Sequence, residues 1–444
     1  MTTPGPAPTD VELIIDHARV VTVDAGDTVV ADGAVAVAGG AIVAVGPSAV
    51  VRAAHRAAAI VDARGGIVLP GLVNAHAHLA MTLFRGLADD RDLDGFLQAM
   101  LAAEAAVLDE GAVRAGVQLA LAESILAGST SALDMYFWPE AALQVADAAG
   151  FRLQAGPVFV TFPGPDDRPF AGRMAWAADA LTTWPGRRWV MPHSTYLLSP
   201  DELVSIREMA DATGARVHVH AAETAAEVAM VRARHGRSPV EVLDDVGMLG
   251  PRTTLAHAVA LDDADLARVV RSGAAVTHCP LSNLKLASGF CRVPELLAAG
   301  VTVGLGTDGT ASSNDLDLFG AMRTAAVVHK AHTGDAAAMP ARAVLRMATA
   351  GAARAVGIDD LVGSIEVGKR ADLVLLDADS PALTPSYDPV STIVYAASRA
   401  DVRDVWIDGR RVVHQRRPTT IDVPAALAAV RSRQAAVAAA VPPL

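Results

Sequence analysis

The chain has 444 residues, of which 52% are hydrophobic and 19% charged, so it can bury a large core and is not intrinsically disordered. The formal net charge is −12 and no basic block is present, which argues against nucleic acid or an anionic membrane as a partner. Two cysteines, no signal-peptide pattern and no uncharged apolar run of the roughly 20 residues that span a bilayer predict a cytoplasmic protein without disulfides.

Short strands are predicted at both ends of the chain. Runs rich in Val and Ile, separated by Gly, Asp and Pro, begin with VELIIDHARVVTVD and return near the C-terminus in ADLVLLDAD and VRDVWIDGRRVVHQ. We expect the two ends, residues 1–67 and 363–444, to build one small β-sandwich domain together. The Ala-rich tail is predicted to be helical.

Between these ends, strand-like runs alternate with helical stretches, of which LDEGAVRAGVQLALAESILAG is the clearest. Eight strands alternating with helices favour an α/β fold, a (β/α)8 TIM-like barrel over residues 68–362, rather than a doubly wound sheet. The strands are predicted near residues 68–76, 131–136, 152–159, 188–193, 215–221, 252–257, 274–279 and 301–307.

Histidine and acidic residues follow several of these strands. In a barrel, catalytic side chains gather at the carboxyl ends of the strands. Strand one ends with His76 and His78, and their His-X-His spacing presents both imidazoles to one side. His220 ends strand five, and Asp308 follows strand eight. Three imidazoles and one carboxylate suit a single zinc or ferrous ion with an open position for water.

Two further residues lie at the same edge of the barrel, namely Glu223, just after strand five, and His257, at the end of strand six. Singly, each also fits an ordinary role, because a glutamate favours the positive start of a helix and a strand histidine is often only hydrogen-bonded. Strand four ends in VMPHST without a lysine, so one metal ion is predicted rather than a bridged pair.

Eight motifs of the sequence, taken together, resemble those of the amidohydrolase superfamily. The motifs are PGLVNAHAHLAMTLFRGLADD, LDMYF, PHSTYLLSP, VHVHAAET, LAHAVAL, CPLSNLKLASG, GTDGTASSNDLDLFGAMRTA and GSIEVGKRADLVLLD, in that order. Within the superfamily the chain is most similar to the S-adenosylhomocysteine/5′-methylthioadenosine deaminases, which stand near the chlorohydrolases and triazine hydrolases.

The resemblance implies an enzyme that hydrolytically deaminates a purine nucleoside-like substrate by attack of metal-activated hydroxide. His76, His78, His220 and Asp308 would hold one divalent metal ion, zinc or iron. Glu223 would be the general acid/base, His257 would orient the water, and Asp308 would also carry a proton to the leaving ammonia. A carboxylate next to both water and ring can perform both proton transfers.

The resemblance also assigns substrate-binding roles to His193, Glu104 and Arg168, besides Glu223. Glu104 matches a ribose-binding glutamate, although a solvated helix position fits it as well. The loop after strand three lacks one arginine typical of homocysteine-binding relatives. Arg168 matches a second such arginine by its spacing to His193, or it is an ordinary loop residue. These departures weaken S-adenosylhomocysteine as a substrate and leave 5′-methylthioadenosine, adenosine-like and non-nucleoside amines open.

Two alternatives remain at this point. The same metal chemistry serves hydrolysis of another heteroaromatic ring, by deamination of a guanine-type base or by dechlorination or deamination of an s-triazine. The second alternative is a non-catalytic barrel that acts as an interaction module. Such a protein is expected to lose its metal ligands. The expected partner is therefore a small heteroaromatic amine, and self-association into a homo-oligomer is left open.

Overall fold

The first part of the chain forms strands of a terminal domain. The structure, a computed structural model, describes residues 8–184 and 188–441. The elements are β1 (Thr9–Val21), β2 (Val29–Ala38), β3 (Ala41–Pro47), α1 (Ser48–Ala54), β4 (His55–Asp62) and β5 (Ile67–Pro70). β1 pairs antiparallel with β2 and parallel with β4 and β5.

The middle of the chain alternates strands and helices. The first half comprises β6 (Leu72–His78), α2 (Leu93–Val107), α3 (Glu110–Leu126), β7 (Ser129–Asp134), α4 (Pro139–Ala149), β8 (Arg152–Ala155), β9 (Val158–Phe159), α5 (Phe170–Thr183), β10 (Trp189–Pro192) and α6 (Pro200–Thr213). The second half comprises β11 (Arg216–Ala221), α7 (Ala225–His235), α8 (Pro239–Asp245), β12 (Thr253–His257), α9 (Asp263–Ser272), β13 (Ala275–His278), α10 (Pro280–Lys285), α11 (Val293–Ala298), β14 (Val303–Leu305), β15 (Asp308–Gly309), α12 (Leu318–Thr333), α13 (Ala341–Met347) and α14 (Ala350–Val356).

The last part of the chain returns to the terminal domain. Its elements are β16 (Leu373–Leu376), α15 (Pro389–Ser391), β17 (Val402–Ile407), β18 (Arg410–His414), β19 (Arg417–Pro418), α16 (Val423–Arg431) and α17 (Gln434–Ala440). The strands of both ends are hydrogen-bonded in the order β19-β18-β17-β16-β5-β1-β2-β3, with β4 beside β1. The predicted joining of the two termini in one β domain is thus confirmed.

The middle strands close a parallel barrel of eight strands, as predicted. Strand three is divided into β8 and β9, and strand eight into β14 and β15, so that β6 pairs with both β7 and β15. The break in strand three occurs at Gly156, where an added Cβ would lie 2.2 Å from the Trp189 carbonyl oxygen. Only glycine permits so close an approach of the two backbones.

The first barrel strand begins later than the sequence predicts. The predicted strand near residues 68–76 is in fact two strands, since β5 belongs to the terminal sheet and β6 opens the barrel after Gly71. The whole run is buried, so no change of hydrophobic pattern marks the break. We propose Gly71 as the first domain limit in place of residue 67, and keep residue 362 as the second.

Helix starts are specified locally. α6 and α8 both begin with Ser, Pro and a glutamate at the third helical position, and in each case serine and glutamate form a reciprocal capping box. In α8 these residues are Ser238 and Glu241.

Among the described residues, no helix is both long and apolar enough to cross a membrane.

Candidate metal and catalytic site

Four polar side chains meet at the carboxyl ends of the barrel strands. His76 and His78 lie at the end of β6, His220 near the end of β11, and Asp308 at the start of β15. None of the four is more than 8% exposed. The structure therefore brings together all four residues that the sequence predicts as metal ligands.

Three of the separations between ligand atoms of these residues have the length expected for atoms that bind one metal ion. Asp308 Oδ1 lies 3.3 Å from His76 Nε2 and 3.2 Å from His78 Nε2. His78 Nε2 lies 3.3 Å from His220 Nε2. Atoms that bind one zinc ion tetrahedrally, at about 2.0–2.1 Å, are about 3.3 Å from one another. The four atoms fit one divalent metal ion.

Each of the three histidines has its other ring nitrogen hydrogen-bonded to a fixed acceptor. An Nδ1–H donor leaves Nε2 with a free lone pair, which is the tautomer that a metal ligand needs. The acceptors are His218 Nε2 for His76, the Met135 carbonyl for His78 and the His193 carbonyl for His220, at 2.7, 2.5 and 2.8 Å.

Two serine hydroxyls fix the orientation of Asp308. Ser282 Oγ and Ser312 Oγ donate to Asp308 Oδ2 at 2.6 and 2.7 Å, which leaves Oδ1 directed at the histidines. Burial raises the pKa of Asp308, but His76 and His78 lower it well below its ordinary value. The carboxylate is therefore held in its charged form, as a metal ligand requires.

Glu223 and His257 stand next to this cluster. Glu223 Oε2 lies 3.9 Å from His257 Nε2, and His257 Nδ1 is 2.8 Å from Asn283 Oδ1. Because Asn283 Oδ1 accepts the Nδ1 proton, His257 Nε2 faces Glu223 and the cavity. Burial raises the pKa of Glu223, and the neighbouring His257 lowers it. A nitrogen of His257 also lies within 4.8 Å of ligand nitrogens of His76 and His220, so His257 is part of the same polar cluster.

A cavity opens onto the cluster, and its wall opposite the metal ligands is apolar. The helix α2 supplies much of this wall, and the strand ends and loops of strands two and three supply most of the remainder. No lysine or arginine is among the described residues that line it. The apolar side chains from α2 are Leu93, Phe96, Leu97, Met100 and Leu101.

Glu104 and His193 both line this cavity. Glu104 is 6% exposed, and its Oε1 accepts a hydrogen bond from the Tyr136 hydroxyl at 2.6 Å. Burial raises the pKa of Glu104 to about 7. The His193 ring lies 4.6 Å from the His220 ring, centre to centre. Glu104 is therefore buried, and does not have the solvated position that an ordinary residue on the outer face of a helix would have.

Arg168 is not among the residues that line the cavity. Its guanidinium stacks on Trp176 at 4.2 Å and lies 3.9 Å from Glu140 and 3.8 Å from Asp166. The same loop is anchored by the buried Arg173, which donates two hydrogen bonds to Asp166 at 2.8 and 2.7 Å. These contacts hold the Arg168 side chain outside the cavity lining.

Three further side chains, those of His218, Ser282 and Asn283, are hydrogen-bonded to residues of the cluster. The His218 ring packs against His76, and its Nδ1–H donates a hydrogen bond to the Thr254 carbonyl at 3.0 Å. Ser282 and Asn283 lie in the first turn of α10, and Pro280 at the start of this helix is the local sequence signal that marks it.

The comparisons with known proteins agree with this geometry. The model of the amidohydrolase family matches residues 67–412. The chain belongs to the amidohydrolase family. It is 44% identical over 424 residues to a 5-methylthioadenosine/S-adenosylhomocysteine deaminase of Syntrophobacter fumaroxidans, a match that covers 95% of this chain and 97% of the relative.

Two further members of the amidohydrolase family extend the comparison. A 5′-deoxyadenosine deaminase of Methanosarcina mazei is 38% identical, over 93% of this chain and 95% of its own length. A solved structure of an adenosine deaminase from Xanthomonas campestris with bound zinc superposes with a TM-score of 0.95 at 39% identity, and covers 97% of this chain and 99% of its own.

Proposed function

We propose that this amidohydrolase is a metal-dependent hydrolytic deaminase of adenosine-like nucleosides. The observation that carries the proposal is the placement of the buried Glu223 carboxylate beside His257, at the edge of the ligand cluster and inside the cavity. The names of the relatives, which deaminate 5-methylthioadenosine, S-adenosylhomocysteine or 5′-deoxyadenosine, support the substrate class.

His76, His78, His220 and Asp308 are the proposed metal ligands. We propose zinc rather than iron, because the similar Xanthomonas structure holds zinc. A divalent metal ion bound there would act as a Lewis acid and lower the pKa of a water molecule toward roughly 7.

The proton transfers fall to the side chains of the chain itself. Glu223 accepts a proton from the attacking water and donates one to the ring nitrogen next to the carbon under attack, so that negative charge does not build on the ring. His257 holds the water through Nε2. Asp308 passes the second water proton to the amino group, which leaves as ammonia while the ring carbon becomes a carbonyl.

The cavity also indicates how a nucleoside would lie. The amine-bearing ring belongs at Glu223 and the ligand cluster, and Glu104 is proposed to accept hydrogen bonds from the ribose hydroxyls. His193 is proposed to contact the ring. The apolar side chains of α2 then surround the substituent on the ribose.

Ammonia release is the assay that tests the substrate class. The purified metal-loaded protein would be offered adenosine, 5′-deoxyadenosine, 5′-methylthioadenosine, S-adenosylhomocysteine, guanine and an s-triazine. Turnover of the adenine nucleosides is expected. Exclusive turnover of guanine or of the triazine would contradict the proposed function and favour hydrolysis of another ring.

The variant Glu223→Gln tests the mechanism. Glutamine has nearly the same shape but cannot take up a proton, so we expect kcat to fall by at least about a hundredfold, within the range that general acid–base help contributes. The bound metal, measured by atomic emission, should be unchanged. Glu241→Gln on α8 is the control and should keep its kcat. Turnover by Glu223→Gln at the rate of the unaltered protein would disprove the assigned role.

A further inference from the structure

The start of α7 differs from the capping boxes of α6 and α8. The Thr224 side chain caps the helix by accepting the Glu227 backbone N–H at 3.0 Å, which places Glu227 at the third helical position. In a capping box the glutamate there would accept the N–H of the capping residue. The Glu227 carboxylate instead reaches further back, and accepts the N–H groups of Ala222 at 3.2 Å and Glu223 at 2.6 Å.

These two hydrogen bonds hold a strained turn. Ala222 has φ +52°, a left-handed conformation that costs a non-glycine residue about 1 kcal/mol. The Ala222 carbonyl in turn accepts the N–H groups of Val259 and Ala260 at 2.9 and 2.8 Å. Since His257 ends β12 two residues before Val259, this turn joins the loop that carries Glu223 to the segment that follows His257.

Burying the Glu227 carboxyl group costs free energy, and simple helix capping does not require that burial. Glu227 is 4% exposed, and it takes part in none of the ion pairs among the described residues. Burial and the nearby Glu223 raise the pKa of Glu227 to about 7, while the two backbone N–H groups lower it. The capping box of α8 satisfies its helix start with a glutamate, Glu241, that stays partly exposed and is paired with Arg268.

We propose that Glu227 is a positioning residue for the reaction: its carboxylate fixes the Ala222–Glu223 backbone and so aims the Glu223 side chain at the reacting atoms. The inference rests on the role proposed for Glu223. Glu227 itself does not line the cavity, so it acts only through its neighbours.

The variant Glu227→Gln separates positioning from capping. Glutamine has one acceptor oxygen, so one of the two backbone N–H groups loses its partner and faces an NH2 group. A displacement of about 1 Å at a catalytic group costs roughly a hundredfold in rate. We expect kcat to fall at least tenfold, with KM within twofold and the metal content unchanged. Hydrogen–deuterium exchange of a peptide covering residues 221–227 should be faster.

Glu241→Gln is the matched control, because Glu241 holds the same helix position and also loses an ion pair with Arg268 on substitution. Its kcat should change by less than twofold. An unchanged kcat in Glu227→Gln, or a loss expressed only in KM, would overturn the proposal. If Glu227→Gln does not fold, Glu227→Asp replaces it, and failure of both to fold would make Glu227 a folding residue and likewise overturn it.

The kinetic test uses whichever compound the unaltered protein turns over. Turnover confined to guanine or a triazine would refute the nucleoside proposal and still allow the Glu227 comparison. If no compound is turned over, the exchange measurement decides alone, since faster exchange in Glu227→Gln but not in Glu241→Gln supports the positioning role. Equal exchange in both variants would refute it.

Discussion

Glu104 shows how one buried carboxyl group links the site to stability. Its pKa is raised to about 7 because it is buried, whereas in the unfolded chain it is near the ordinary value of 4.5. Below pH 4.5 both states carry the proton. Between 4.5 and 7 the unfolded state releases the proton first, so the free energy of unfolding decreases as the pH rises.

In the variant Glu104→Gln, the free energy of unfolding should not decrease in this way as the pH rises. Glutamine still accepts a hydrogen bond from the Tyr136 hydroxyl but does not ionise. The stability of the original protein relative to the variant should therefore fall between pH 4.5 and 7, by roughly 3 kcal/mol in total. Denaturant unfolding of the metal-loaded proteins at pH 5 and pH 7.5 measures it. A difference between the two proteins that is the same at both pH values would refute the expectation.

At the residue scale, the sequence predicts the ligand cluster better than its supports. His76, His78 and His220 sit at strand ends, where alternation fixes the direction of a side chain once the strand is known. Ser282 lies in the first turn of α10 and Ser312 in a turn after β15, where spacing does not fix the direction of a side chain, so their hydrogen bonds to Asp308 were not predicted. Glu227 was missed because at a helix start it is an ordinary capping residue.

The helix α2 carries two kinds of side chain into the cavity on one face. Leu93, Leu97, Met100 and Glu104 follow one another at spacings of three and four residues, which places them on a single side of a helix. Asp92 caps the helix by accepting the Gly95 N–H at 2.9 Å. The wall of the cavity is thus apolar for most of its length and ends in one carboxyl group.

This wall predicts a preference among nucleosides. An apolar substituent on the ribose, as in 5′-methylthioadenosine, gains contact there, whereas the charged tail of S-adenosylhomocysteine meets no cation among the lining side chains. Leu97→Arg should raise the ratio of kcat/KM for S-adenosylhomocysteine over that for 5′-methylthioadenosine about two- to fivefold, the size of a partly exposed ion pair.

Gln98→Arg is the control for this variant, since Gln98 is next in the chain but exposed outside the cavity. It should leave the ratio of the two kcat/KM values unchanged. An equal ratio in Leu97→Arg and Gln98→Arg would show that the α2 wall does not select the substituent.

At the element scale, long helices and strand order follow from the sequence. α3 was predicted from its apolar period and begins after Asp109, whose side chain caps it. For α2 only the helical position of Glu104 was expected and no bounds were predicted, because its Ala- and Leu-rich sequence has no clear boundary from the next helix. The division of strands three and eight depends on packing between strands, which local sequence does not specify.

The two domains are tied by a charge cluster beside the start of β8, in which Arg152 and Asp372 are largely buried and Asp408 is exposed. Arg152 in β8 binds Asp372, just before β16, at 3.1 Å and Asp408, just after β17, at 2.7 Å. Asp372 is only 4% exposed. Burial raises the pKa of Asp372, while Arg152 lowers it. Without the arginine, this carboxyl group would be buried with no opposing charge.

Arg152→Met should therefore lower the free energy of unfolding by about 3 kcal/mol, as expected when one partner of a buried pair is removed. The unfolding midpoint in denaturant measures it, and kcat at 25 °C should be unchanged because Arg152 does not line the cavity. Arg114→Met, which breaks an exposed pair with Glu110, should change stability by less than about 1 kcal/mol. Equal effects of the two substitutions would contradict this account.

The sharing of one sheet between the two ends of the chain has a consequence for synthesis. β5 is hydrogen-bonded on one side to β1 and on the other to β16, which follows about 300 residues later. At translation speeds of about 5–20 residues per second, the ribosome needs roughly 15 to 60 seconds to reach β16. During that time the nascent chain carries a sheet edge with unpaired N–H and C=O groups, to which another strand can bind. The domain whose strands are made first is therefore the last to be completed.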